Sequence, residues 1–262
     1  MKKLNVTKLK DGVFLLDELG GTNCYLLVGS NKALLIDCGT GFADLEGTVK
    51  DLTDLPLTVI ATHGHVNHIG GAGAFPQIYI HKDDTALINK IQFTRPMRKI
   101  FTMGAGDAKR QGADPADVKK GKFKTKFIPI DESFSLDLGS KEIKIHHTPG
   151  HTKGSIAIID ETDKLIFSGD NVCDALWIHL PGCTSLERWL DGAQWLYNMS
   201  LSYTVYWGHR SPQLQSDYIL QVISWAKEIM ATTKKNSIIP KVKQYPDRED
   251  GIIYRTSNVF GK

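Results

Sequence analysis

The chain has 262 residues and a formal net charge of +3, from 32 Lys and Arg against 29 Asp and Glu. Its 41% hydrophobic and 23% charged residues suit a globular protein with a sizeable core, and the charge is too small to imply nucleic acid by itself. No apolar run approaches the roughly 18 residues that span a bilayer.

Met1-Lys2-Lys3 resembles the basic start of a signal peptide, but Asn5, Thr7 and Lys8 interrupt any apolar stretch behind it. Cys24, Cys38, Cys173 and Cys183 lack CxxC spacing, so reduced thiols and a cytoplasmic location are expected. Gly12 to Asp17, Asn23 to Val28 and Ala33 to Asp37 are short apolar runs parted by Gly20-Gly21 and Gly29-Ser30-Asn31, which predicts a hairpin-rich start. Asp37-Cys38-Gly39-Thr40-Gly41 makes a turn, in which Asp37 is either a turn residue or a partner for a ligating histidine. Helix-like spacing follows from Phe42 to Leu52, then strands at Leu57 to Ala61 and Gln77 to His81.

Thr62-His63-Gly64-His65-Val66-Asn67-His68-Ile69-Gly70-Gly71 leaves the first of these two strands. Three imidazoles within six residues are a metal-binding signal, because imidazole is the commonest protein ligand for zinc and similar ions. His63 and His65 cannot share a helix face, so they suit a loop, and the glycines predict tight backbone turning.

From Lys82 to Lys126 the chain turns polar, with twelve Lys and Arg against five Asp and Glu. It reads as short helices at Asp83 to Ile91, Pro96 to Met103 and Asp114 to Lys120. This insertion, about residues 83–126, is either a basic lid over an acidic substrate or a set of solvated helix faces. Phe93, Arg95 and Arg98 are its candidate substrate contacts, the arginines reading a carboxylate.

Strand patterns return at Phe127 to Ile130, Ser133 to Leu138, Lys141 to His147, Ser155 to Asp160 and Lys164 to Ser168. Helices are expected at Thr184 to Met199 and Leu214 to Met230, with a strand from Tyr203 to Trp207 between them. The apolar face of the first helix suits a core or a homodimer. The tail after Thr232 reads as a polar, basic surface segment. His151 in Pro-Gly-His-Thr, Asp170 in Phe-Ser-Gly-Asp and His209 in Gly-His each stand at a strand end beside a glycine, where scaffolds present site residues.

In this order the motifs, from about Thr22 to Ser211, resemble the metallo-β-lactamase-fold superfamily. The resemblance implies a single α/β domain over residues 1–262, a four-layer αββα sandwich of two mixed sheets flanked by helices, with the site at one edge. It also implies two divalent metal ions, zinc first, with manganese or iron as further candidates. His63, His65 and His151 would hold one ion, His68 and His209 the other, and Asp170 would bridge them. Metal-bound hydroxide would then attack a carbonyl or phosphoryl centre. Asn67 departs from the family, which has a metal-binding, hydroxide-orienting aspartate there. Three readings stay open for it: a deliberate exchange that holds substrate unreacted, a natural enzyme working with a weak or single metal, and a binding protein without catalysis.

The size and spacing are similar to hydroxyacylglutathione hydrolases and small lactonases, which implies hydrolysis of an ester, thioester, lactone or amide in a small metabolite. Phosphodiester hydrolysis and ligand binding without turnover are the alternatives. Flavodiiron proteins carry glutamate at the position of His65, secreted β-lactamases need export, and nucleases of the fold bring an added domain, so none of these is expected. Neither a nucleic-acid nor a membrane partner is expected. Trp177 and His179, in the segment after Asp170, are placed either at the substrate or in the core and on the surface, respectively.

Overall fold

The computed structural model describes residues 2–19, 21–91, 124–210, 213–233, 241–247 and 250–261. The insertion residues Phe93, Arg95 and Arg98 and the helices expected at 96–103 and 114–120 lie outside them. The strands of the first half are β1 (Asn5–Lys10), β2 (Val13–Asp17), β3 (Asn23–Val28), β4 (Ala33–Ile36), β5 (Leu57–Ile60), β6 (Gln77–His81) and β7 (Lys126–Ile130). They form one seven-stranded sheet in chain order, antiparallel from β1 to β4 and parallel from β4 to β7. Helices α1 (Leu45–Lys50), α2 (Val66–Ile69) and α3 (Thr85–Ile91) lie along this half.

The second half contributes β8 (Ser135–Asp137), β9 (Glu142–His147), β10 (Ile156–Asp160), β11 (Leu165–Phe167), β13 (Thr204–Tyr206) and β14 (Gln213–Leu214). These make a six-stranded mixed sheet in the order β14-β13-β11-β10-β9-β8. Helices α4 (Leu186–Ser200) and α5 (Ser216–Thr232) cover it.

Period-two alternation sorts each strand between two cores. Val13, Leu15, Tyr25, Leu27, Leu34 and Ile36 of the first sheet meet Ile143, Ile145, Ile156, Ile158, Leu165 and Phe167 of the second. The alternate residues Leu16, Cys24, Leu26, Ala33 and Leu35 turn outward onto Leu45, Val49, Ile69 and Ile88. On the far side, Ala157, Ile159, Ile166 and Val205 meet Leu186, Trp189, Ala193, Leu196 and the apolar stripe of α5. Three cores between four layers give the expected α/β sandwich. Each fully buried Leu or Ile in them contributes roughly 1.5–3 kcal/mol.

Two expectations need correction. A third sheet stands beside the two expected ones: β12 (Leu176–Ile178) pairs parallel with β16 (Ile252–Arg255), which pairs antiparallel with β15 (Val242–Tyr245). The tail is therefore not merely a surface segment, because Ile252, Tyr254 and Val259 bury their side chains in the α4–α5 core. The apolar Ile253 between Ile252 and Tyr254 masks that alternation in the sequence. Strand β1 carries no apolar pattern in the sequence, since its residues are almost all exposed and it has no buried face.

Candidate metal centre

Six of the residues singled out as metal ligands come together at strand ends along one edge of the two sheets. His63 and His65 follow β5, and His68 lies in α2, whose N-cap is His65. His151 follows β9, Asp170 follows β11 and His209 follows β13. Inner ring nitrogens of His63, His65 and His151 cluster within 4.8 Å of one another, as do ligand atoms of His63, His68 and Asp170.

Backbone packing explains the glycines of the first motif. None of Gly64, Gly70 and Gly71 has a positive φ, contrary to the turning role expected of them. Space is the reason instead. A Cβ on Gly70 would stand 2.3 Å from the Thr40 carbonyl oxygen, and one on Gly71 would stand 2.2 Å from that of Cys38. Helix α4 holds the later loops: the Trp189 ring closes on Gly150, and its Nε1 donates to the Asn171 carbonyl at 2.6 Å.

Each histidine is pinned by its outer nitrogen. The Thr62 hydroxyl donates to Asp37 at 2.8 Å, so at 3.1 Å it accepts from His63 Nδ1. His65 Nε2 donates to the Pro181 carbonyl at 3.3 Å, and His151 Nδ1 donates to that of Trp177 at 3.0 Å. His68 Nδ1 donates to Asp37 Oδ2 at 2.8 Å, and His209 Nδ1 donates to the Gly21 carbonyl at 2.8 Å. A proton fixed outside leaves the inner nitrogen of a neutral ring as a lone pair, the arrangement that orients metal-bound histidines.

The donor set fits a divalent cation. His63 Nε2 and Asp170 Oδ1 are buried with no hydrogen-bond partner, which costs free energy unless something charged meets them. His65 Nδ1 and His151 Nε2 face each other at 2.8 Å, and with both outer nitrogens donating, neutral rings would oppose lone pairs there. A cation removes that repulsion. Gly208 leaves the room, since a Cβ on it would lie 2.4 Å from Asp170 Oδ1 and 2.8 Å from the His68 ring.

Charge divides the centre. Burial, with neighbouring imidazoles adding to it, holds His63 and His65 well below the ordinary imidazole range. Burial likewise pulls His151 down to about 4. For His68, burial works against the charged ring, but Asp170 and Asp37 outweigh it and push its pKa up to about 10. His209 is raised in the same way, against burial, by Asp170. Asp170 itself stays ionised: burial opposes its charge, and His209 and His68 more than offset that.

Asn67 lies within this second group, its Nδ2 3.3 Å from His209 Nε2. An amide there supplies no negative charge. Trp177 stands in β12 with its carbonyl on His151 and its side chain 37% exposed, so it is not a core residue. His179 follows, half-buried, its ring centroid 5.8 Å from that of Trp177. Arg95 and Arg98 lie outside the described residues. Another histidine–carboxylate group, His81, Asp83 and His147, has its two rings stacked at 3.9 Å and 20°. The two ring nitrogens nearest Asp83 are already engaged, His81 Nδ1 accepting from Asp83 N at 3.4 Å and His147 Nε2 donating to the Lys153 carbonyl at 2.7 Å.

Sequence reasoning passed over two buried carboxylates that hold the centre together. Asp84 accepts from Gly64 N at 2.7 Å, Thr152 Oγ1 at 2.7 Å and Gly154 N at 2.8 Å, joining the first histidine loop to that of His151. Burial raises its carboxyl pKa, opposed by those same hydrogen bonds. Glu18 accepts from the backbone of Thr40, Gly41 and Phe42 and fixes the turn on which Gly70 packs. Neither gave a signal in the sequence: Asp84 stands in the polar run His81-Lys82-Asp83-Asp84-Thr85, where an acid reads as a surface residue, and Glu18 is an acid beside Asp17. Asp37 proves to be both of the things expected of it, a turn residue at φ 62° and the partner of His68.

Comparison with known proteins agrees with this architecture. The chain is similar to acyl-coenzyme A thioesterase MBLAC2 of Gallus gallus, 28% identical over 196 residues, covering 65% of this chain and 66% of the relative. The Homo sapiens protein of that name is 25% identical over 193 residues, covering 63% and 65%. The match thus spans just under two-thirds of either relative's length. Among solved structures, a metallo-beta-lactamase family protein from Thermus thermophilus superposes with a TM-score of 0.60 at 19% identity, covering 89% of this chain and 85% of its own. A beta-lactamase domain protein from Burkholderia ambifaria gives 0.62 at 16% identity, covering 87% and 74%. At such identities the likeness is one of fold. The model of the metallo-beta-lactamase superfamily matches residues 17–231, and the chain, carrying that family's histidine motifs at the edge of its two sheets, belongs to it.

Proposed function

We propose that this chain is a metal-dependent hydrolase acting on a thioester of a small molecule. The observation that carries the reading is the convergence of five imidazoles whose outer nitrogens are all pinned, four of which, His63, His68, His151 and His209, bring an inner nitrogen within 4.0 Å of an ionised, half-unpartnered Asp170. His63, His65 and His151 would hold one divalent ion, and His68, His209 and Asp170 a second, which Asn67 leaves short of a charge. Zinc suits such a set best. A bound ion of this kind lowers the pKa of water toward neutrality and stabilises negative charge on a carbonyl oxygen.

The chain's own residues do the rest. Thr62, Pro181, Asp37, Trp177 and Gly21 orient the rings; Asp170 supplies a carboxylate that stays charged when buried. The MBLAC2 relatives favour a thioester over a phosphodiester. All four cysteines are free, three of them buried, which supports a reducing compartment. Among the described residues no helix is long and apolar enough to cross a membrane.

Asn67 favours a second reading, a ligand-binding protein without turnover, because a missing ligand charge weakens the half of the site that helps orient the nucleophile. Elemental analysis and hydrolysis of a thioester and lactone panel, beside a phosphodiester reporter, test both in this chain and in Asn67→Asp. Thioester turnover that rises with metal content supports the hydrolase. Metal binding without turnover in either protein overturns it in favour of the binding reading.

A further inference from the structure

The small third sheet adjoins the metal centre through its backbone. The carbonyl of Trp177 in β12 accepts from His151 Nδ1, and four residues on, the carbonyl of Pro181 meets His65 Nε2. Segment 177–181 therefore runs along the rim of the histidine cluster. Within β12 the side chains alternate: Leu176 and Ile178 are buried, while Trp177 points outward and is 37% exposed.

The parallel register sets Trp177 opposite Ile253, and the antiparallel register sets Ile253 opposite Gln244 and Arg255 opposite Val242. Residues directly opposite share a face, so Trp177, Ile253, Gln244, Arg255 and Val242 lie on one side of the sheet. Arg255 is tied to the same rim, its Nε donating to the His179 carbonyl at 3.2 Å. Among the described residues no carboxylate pairs with it. Strands β15 and β16 also lie beyond residue 231, where the match to the superfamily ends.

We propose that this outer face is the wall that receives the non-reacting part of the substrate, and that it recognises a nucleotide-bearing thiol carrier. Trp177 offers a flat aromatic surface beside the apolar Ile253, which suits a stacked purine. Arg255 offers a planar cation without a carboxylate partner among the described residues, which suits a phosphate. An aromatic ring and an anion side by side are the two features of a nucleotide, and the wall begins at the histidines where the acyl bond would lie. This inference rests on the thioesterase reading and adds to it Arg255 and Ile253, residues of the tail.

The test compares two thioesters of one acyl group, the coenzyme A ester and the N-acetylcysteamine ester that lacks the nucleotide, in the metal-loaded protein. Trp177→Ala and Arg255→Met should each lower kcat/KM for the coenzyme A ester about tenfold more than for the truncated ester, chiefly through KM. Trp177→Phe should recover part of that loss. Calorimetry with adenosine 3′,5′-bisphosphate reads the wall without turnover: the unaltered protein should bind it, and both variants should bind about tenfold more weakly. Equal losses on the two esters, or no bisphosphate binding by the unaltered protein, overturn the proposal while leaving the hydrolase intact. Turnover of neither ester overturns the hydrolase reading, and the calorimetry still decides the wall.

Discussion

The two halves of the candidate metal centre are both built around histidines and differ in charge. One half, His63, His65 and His151, is an all-imidazole set kept neutral by burial. The other, His68 and His209 around Asp170, is a set of ion pairs, with Asn67 where a second carboxylate would complete it. Two buried carboxylates brace the halves, and Asp37 reaches both, since it also holds His63 through Thr62. Asp84 ties the loops of the first, and Asp37 anchors His68 in the second. Neutral donors with pinned outer protons are ready to receive a cation; the paired half must give up a proton or an ion pair to do so. Occupancy should therefore be unequal, with the first half filling at lower metal concentration.

The sharpest way to break this comparison is to remove one histidine from each half. His151→Ala should strip the first half, with at least about a hundredfold loss of thioester turnover and of tight metal binding, read by elemental analysis after dialysis. His209→Ala should keep about one ion. Equal metal loss in the two variants would show that the halves bind as a unit.

Restoring the missing charge is the next largest change. Asn67→Asp should raise turnover by about 10–100-fold and add a second equivalent of metal, measured by titration against a chromogenic chelator. Unchanged stoichiometry would mean that the second half is limited by something other than its charge.

The braces should separate in stability. Asp84→Asn leaves at least one of the N–H groups of Gly64 and Gly154 with a poorer acceptor, and should cost about 2–4 kcal/mol in urea unfolding of the metal-free protein. Thr62→Val removes the hydroxyl between Asp37 and His63; about 1–2 kcal/mol is expected, with weaker metal binding in the first half because the His63 proton is no longer held outside. Glu46→Ala, which breaks the exposed pair with Lys50 on α1 away from both halves, should change stability by no more than about 0.5 kcal/mol and leave metal content as it was.

Much of this molecule could be read from local pattern. The strands β3 and β6 fall where their apolar runs stand, and α4 and α5 follow from a 3.6-residue apolar spacing, because burial on one face imposes those periods wherever the element lies. The clustered histidines announced themselves through residue type and glycine neighbours, since few other environments need so many imidazoles together.

What the tertiary structure alone decided was which groups meet. The brace Asp84 touches Gly64, Thr152 and Gly154, partners 20, 68 and 70 residues away in the chain, and no local period encodes such contacts. Strand β15, Val-Lys-Gln-Tyr, shows no apolar alternation in the sequence, and it and β16 become strands through a sheet that β12 joins from far earlier in the chain. The division of charge between the halves likewise depends on Asp37 and Asp170 arriving beside His68 from separate strand ends. Residue chemistry named the candidate ligands; burial and long-range packing set their protons.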